Sequence, residues 1–181
     1  MDLKSGSPFW AVKNGFMAAY PALDADIDCD VLIVGGGVTG ALVARAMLAA
    51  GQRTVVIDRR EIGWGSTAAS TALLQYEIDT EMQDLAKRYG ERNAALAYTA
   101  CEDAIGTLRK IAGAHRGVEC FPLRSLYYAS KRSHVQRLRD ENALRRKHGI
   151  RVREVERDEL RDSFGLDAPL ALLSERAAAH A

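Results

Sequence analysis

An α/β fold built on a Rossmann-like βαβ unit is predicted by three features of residues 30–58. These are an apolar run Val31–Val34, a glycine turn Gly35-Gly36-Gly37-Val38-Thr39-Gly40, and a second apolar run at 55–57 that ends on Asp58. Continuous apolar runs of this length suit strands buried on both faces of a parallel sheet. Between them Ala41, Leu42, Ala44, Met47 and Leu48 set small and apolar side chains at helical spacing. Gly51 stands where a left-handed residue stops a helix. Strand, turn, helix and strand therefore follow in order.

The spacing of the glycines carries chemistry. Gly35 permits the tight turn, Gly37 lets the backbone approach a pyrophosphate, and Gly40 lets the helix pack close to the strand. The helix opening at Val38 and Thr39 presents unpaired N–H groups and the positive end of its dipole, worth about 0.3–1 kcal/mol per nearby negative charge. Asp58 follows the glycines by about 20 residues, where a carboxylate at the end of the second strand accepts hydrogen bonds from both ribose hydroxyls of an adenosine. The same carboxylate repels a 2′-phosphate, so Arg59 and Arg60 are expected to meet pyrophosphate or solvent. These residues describe a dinucleotide site.

Residues 59–72 separate flavin from nicotinamide. A nicotinamide dehydrogenase enters another crossover helix and strand soon after this point. Here Gly63, Gly65, Ser66, Thr67, Ser70 and Thr71 form a loop of small residues rich in N–H and O–H donors. In its glycine turn, its acid and this loop, the chain resembles the FAD-dependent oxidoreductases of the D-amino-acid oxidase, glycine oxidase and sarcosine oxidase family. The resemblance implies that FAD is the cofactor. Its pyrophosphate would lie on Gly35, Gly37, Val38, Thr39 and Gly40, its adenosine ribose on Asp58 with Arg59, and the path toward the flavin along Ser66, Thr67 and Thr71. The implied activity is oxidation of a small amine or amino acid to an imine by hydride transfer to flavin. No residue of this chain is assigned a catalytic role. Tyr127 and Tyr128 sit on an expected strand of the substrate domain, where alternation allows at most one of them to line a pocket. An NAD-binding dehydrogenase fragment and a non-catalytic remnant are the alternatives. Members of the family are longer, so the chain reads as a truncated N-terminal portion whose activity alone is open.

Composition narrows the remaining classes. The chain has 181 residues, 48% hydrophobic and 27% charged, with a net charge of +1. A domain of this size buries about 70% of its unfolded surface. Near-neutral charge argues against a nucleic-acid binder. The arginines between 131 and 161 interleave with Asp140, Glu141, Glu154, Glu156, Asp158 and Glu159, the pattern of a solvated face laced with ion pairs. Residues 1–27 lack a signal-peptide pattern, and no apolar run approaches the ~18 residues of a membrane span. Cys29, Cys101 and Cys120 make an odd count without C-x-x-C spacing, as expected of reduced thiols in the cytoplasm. His115, His134, His148 and His180 lack the spacing of a helical metal site, and no metal is expected.

Three segments are expected. Residues 1–28 form an aromatic arm, with Phe9, Trp10, Phe16 and Tyr20, that packs across the nucleotide domain or a neighbouring subunit. Residues 29–118 form the FAD-binding domain, and residues 119–181 begin an α+β substrate domain. After the loop, Asp79 or Thr80 is positioned to cap a helix running to Tyr89. Residues 91–112 form a second helix with Leu96, Cys101, Ile105, Leu108 and Ile111 near one stripe; Gly90 and Gly113 bound it. Residues 121–130 read as extended. Residues 133–148 read as a helix opened by a Ser133/Gln136 capping box and stopped by Gly149. A strand at 150–155 and a helix at 157–164 follow. The alanine-rich tail at 174–181 shows no capping or packing pattern.

Overall fold

The structure is a computed structural model that describes residues 6–15 and 18–180. Phe16 and Met17 of the aromatic arm lie outside the described residues, as does the terminal Ala181. The chain divides into two compact units, residues 1–71 and 72–181.

The first unit contains α1 (Phe9–Asn14), β1 (Val31–Val34), α2 (Val38–Ala49), β2 (Thr54–Ile57) and a 3₁₀ turn (Ser66–Ala69). β1 and β2 are parallel, in register from Val31 opposite Thr54 to Val34 opposite Ile57. Parallel neighbours need a crossover, which α2 supplies. α2 stops as expected, with Gly51 at φ +78°. At the outer end of the strands Asp30 takes Arg53 Nη2 on Oδ1 at 3.0 Å, and Arg53 Nε at 3.2 Å and the Arg53 N–H at 2.8 Å on Oδ2. The expectation that β1 is buried on both faces is not met. Val31 and Ile33 are half-buried, but Leu32 and Val34 are 54% and 78% exposed. The cause is that α2 covers one face of this two-stranded sheet, and among the unit's described residues no second layer covers the other.

The second unit contains β3 (Leu73–Gln75), α3 (Met82–Tyr89), α4 (Glu91–Gly113), β4 (Cys120–Tyr128), α5 (Val135–Lys147), β5 (Arg153–Glu156), α6 (Arg157–Phe164) and β6 (Leu170–His180). β6 is the middle of an antiparallel sheet. β4 runs along one edge of it, and β3 and β5 share the other. This corrects the reading of the tail as unpatterned. Leu170, Ala171, Leu172 and Ser174 are fully buried, and Ala178 packs in one core cluster with Tyr76, Met82 and Tyr98. Leu170 and Leu172 pack in one apolar cluster and Ala171 and Leu173 in another, so both faces of this part of β6 are covered and no alternation is needed, and alanine at 178 leaves room for the two tyrosines.

Four local expectations also shift. The inward face of α4 is Ala94, Ala95, Tyr98 and Ile105, while Leu96 is 67% exposed. α3 is not capped by Asp79 or Thr80. It begins after Glu81, and the carboxylate of Glu141 on α5 accepts from the N–H groups of Met82 at 2.9 Å and Gln83 at 3.0 Å. α5 begins at Val135 behind a 3₁₀ turn (Arg132–His134) rather than at a Ser133 cap, and β5 begins at Arg153.

Candidate functional site

The end of β1 leads directly into the glycine turn. The Gly35 N–H donates to the Ile57 carbonyl at 2.7 Å, which fixes the turn to the end of β2. Gly35 has φ +114°, a conformation that disfavours any residue with a Cβ. Gly40 is fixed by a different constraint. A Cβ there would lie 1.9 Å from the Gly35 carbonyl oxygen, so only glycine lets α2 come this close to the turn. At Gly37, the residue before α2, an added Cβ would meet Thr67 Oγ1 at 3.1 Å.

The donors expected of an anion site face this turn. Val38 opens α2, whose first N–H groups have no carbonyl within the helix to pair with. In this structure the Val38 N–H donates to Thr67 Oγ1 at 3.0 Å, which brings the loop hydroxyl to the helix N-terminus. Thr39 is exposed in the same turn of helix. Asp58 sits at the end of β2. Its Oδ2 accepts from the Gly36 N–H at 2.7 Å and its Oδ1 from the Arg60 N–H at 2.9 Å. The Gly36 bond above all, and then the Arg60 bond, hold this carboxyl below the usual carboxylate range. A carboxylate has about four acceptor positions, more than the N–H groups of Gly36, Arg60 and Arg59 take up, so capacity is left for a ribose hydroxyl.

The ten site residues expected from sequence therefore all fall in the first unit. Gly35, Gly37, Val38, Thr39, Gly40 and Asp58 surround the turn. Ser66 and Thr67 lie on the 3₁₀ turn, while Arg59 and Thr71 are exposed at the two ends of the loop. Two participants were not read from sequence. Gly36 is buried, and its carbonyl accepts from Gly63 N–H at 2.8 Å, tying the loop to the turn. Trp10 donates its indole N–H to the Ser70 carbonyl at 2.8 Å, so part of the aromatic arm belongs to the loop. The run of three glycines signalled the first; nothing local to Trp10 signals its partner 60 residues away.

In the second unit Tyr127 and Tyr128 both border a cavity of about 260 Å³ with Glu81, His134 and Arg137. Tyr127 is committed to internal structure, because its hydroxyl donates to Glu81 Oε1 at 2.7 Å.

Fold and turn together define an α/β protein with a βαβ unit of the dinucleotide-binding type. Residues 30–180 match the FAD dependent oxidoreductase family, and the chain belongs to that family. FAD is accordingly its cofactor, and the glycine turn, the helix N-terminus and the carboxylate are a donor and acceptor set that fits an adenine dinucleotide. YhfW of Bacillus subtilis (strain 168), which carries the name of a Rieske 2Fe-2S iron-sulfur protein, is 30% identical over 94% of this chain and 33% of its own length. Gamma-glutamylputrescine oxidoreductase of Escherichia coli (strain K12) is 30% identical over 50% of this chain and 21% of its own. L-amino acid deaminase from Proteus vulgaris superposes over 92% of this chain and 42% of its own at a TM-score of 0.67, with 14% identity, a likeness of fold. The chain spans about a third or less of these curated relatives.

Proposed function

We propose that this chain supplies the dinucleotide-binding part of an oxidoreductase that oxidises a small amine or amino acid. When bound, FAD would supply the two-electron oxidation of the carbon bearing the amine, by which the substrate would become an imine open to hydrolysis and the electrons would go on to oxygen or another acceptor. The chain's own residues bind and orient. The first turn of α2 at Val38, Thr39 and Gly40 receives the pyrophosphate, with Gly35 and Gly37 keeping the approach free of side chains. Asp58, with Arg59 beside it, holds the adenosine ribose. Ser66, Thr67 and Thr71 direct the cofactor onward from the pyrophosphate.

The observation that carries the reading is the joint geometry of Gly40 against Gly35 and of Asp58 on Gly36, which shapes the turn and leaves acceptor capacity over it. Amine chemistry is supported by the name of the Escherichia coli relative and by the family. The family match favours FAD over the NAD alternative. No helix among the described residues is long and apolar enough to cross a membrane. The free thiols Cys29, Cys101 and Cys120 support a reducing, cytoplasmic location.

The test is spectroscopic. The purified chain should take up FAD with quenching of flavin fluorescence and a raised melting temperature, and NAD should do neither. Gly37→Val and Asp58→Ala should each weaken uptake. Equal uptake by both variants and the parent would overturn the reading. In the longer protein, anaerobic bleaching of the flavin by amines or amino acids tests the substrate class, and bleaching only by hydroxyl compounds would overturn it.

A further inference from the structure

The loop at residues 59–72 packs few side chains of its own. Across Ser66, Thr67, Ala68, Ala69 and Ser70 only Ala68 is buried. Hydrogen bonds set its position instead. At its start Gly63 N–H donates to the Gly36 carbonyl at 2.8 Å, in its middle Thr67 Oγ1 accepts from Val38 N–H at 3.0 Å, and at its end Ser70 carbonyl accepts from Trp10 Nε1–H at 2.8 Å. These three ties differ in what a cofactor does to them. The Thr67 tie uses the N–H at the opening of α2, the group an incoming phosphate requires, so a phosphate competes with it. The Trp10 tie joins a donor on α1 to the Ser70 carbonyl, and neither group stands at the opening of α2 where the phosphate is received, so this tie persists while the phosphate is bound.

We infer that Trp10 is a positioning residue for FAD, and that α1 serves as a latch on the cofactor loop. The inference rests on the FAD reading of the glycine turn. When the Val38 N–H passes to the pyrophosphate, Thr67 is released, and the indole bond keeps the far end of the loop in place, so that Ser66 and Thr67 stay beside the ligand. The indole is itself oriented. Phe9 meets it edge to face at 4.9 Å between centroids and 80° between planes, and Lys13 Nζ lies 5.4 Å from the centroid. Trp10 is half-buried, whereas Phe9 and Val12 on the same short helix are 64% and 71% exposed.

Trp10→Phe keeps an aromatic ring and removes the donor. The full chain and its variants are titrated with FAD and, separately, with AMP, which lacks the second phosphate and the flavin that the loop serves. Trp10→Phe should raise the Kd for FAD about tenfold, the equivalent of one lost hydrogen bond, and leave the Kd for AMP unchanged. Val12→Ala, an exposed change on α1, should leave both within about twofold. An unchanged FAD Kd in Trp10→Phe, alongside lost binding in Gly37→Val, overturns the latch and leaves the FAD reading standing. Equal weakening of FAD and AMP, or weakening by Val12→Ala as large as by Trp10→Phe, also overturns it, because the effect is then on the fold and not on the loop. A parent chain that takes up no FAD, or a Gly37→Val variant that binds like the parent, overturns both.

Discussion

The two units hold their shape by opposite means. In the first, the close approaches involve backbone: Gly40 against the Gly35 carbonyl, Gly35 N–H on Ile57, and Asp58 on Gly36 N–H. Among its described residues only Gly36, Gly40, Ala44 and Ala68 are buried. The second is built from large side chains, and Tyr76, Tyr98, Met82 and Leu172 are fully buried together with the ion pair of Arg145 and Glu141. A structure made of near contacts between backbone atoms fails when atoms are added. One made of filled volume and paired charge fails when atoms are removed.

The largest expected effect is therefore a deletion in the second unit. Arg145 donates Nε–H to Glu141 at 2.8 Å and Nη1–H to the Tyr76 hydroxyl at 3.2 Å, and its guanidinium carbon lies 5.2 to 5.7 Å from the ring centroids of Tyr98, Tyr76 and Tyr127. Burial works against this charge, and the surrounding acids and tyrosines more than offset it, holding the group protonated. Arg145→Ala leaves Glu141 buried without its cation while it still caps α3. Breaking a buried pair on one side costs about 3–5 kcal/mol. Urea denaturation measures the loss, and amide exchange should accelerate in α3 and α5 but not in α2. A loss below about 1 kcal/mol, the scale of an exposed pair, would break the contrast between the units.

A matched pair of glycines sharpens it. Gly40→Ala in α2 forces a Cβ onto a backbone oxygen and should cost about 1–3 kcal/mol together with FAD uptake. Gly106 lies inside α4, exposed, with nothing within 4 Å of an added Cβ. Gly106→Ala should stabilise the chain by up to about 1 kcal/mol through helix propensity alone. Thermal melts of the two variants should move in opposite directions; an unchanged or raised melting temperature in Gly40→Ala would show that the glycine turn tolerates a side chain after all.

The same difference explains what could be read from sequence. The glycine turn was legible because its constraints are local: a turn, a helix start and a strand end within one crossover, each with a residue type that only that geometry requires. Helix positions in the second unit were legible to within a few residues from periodicity and from Gly90 and Gly149. What failed depended on partners distant in sequence. Ala178 carries no pattern by itself and becomes core because Tyr76, Met82 and Tyr98, all distant in sequence, pack against it. α3 has no local cap because Glu141, some 59 residues on, provides it. The alternation of exposure along β1 was missed for the converse reason. An apolar run promises two covered faces, and the described residues of this unit supply one layer.

The smallest effects at neutral pH lie in titration, and they separate the units on the alkaline side. The Asp58 carboxyl is held low, chiefly by the Gly36 N–H, so its contribution to the turn is complete above the ordinary carboxylate value of about 3.9 and is lost as the pH falls through its depressed value. Tyr76 is pushed up to about 12, first by burial and then by the nearby Glu77, and Tyr127 also to about 12, first by burial and then by its bond to Glu81. Their contribution is complete below the ordinary phenol value of about 10 and is lost as the pH rises toward about 12. The first unit should thus loosen on the acid side; the second, whose Asp84, Glu91 and Glu159 are also held low by hydrogen bonds from their cationic partners, shares that loss and adds one on the alkaline side. Amide signals of Gly36 and Arg60, followed from pH 7 downward, should report the first change and should lose their carboxylate titration in Asp58→Asn. Tyrosine absorbance followed upward should report the second, with Tyr76→Phe removing part of the alkaline loss. If the amides of the glycine turn and the core tyrosines instead lost their environments together at the alkaline end of the pH range, the two units would share a single stabilising network, and the division between backbone-built and side-chain-built halves would not hold.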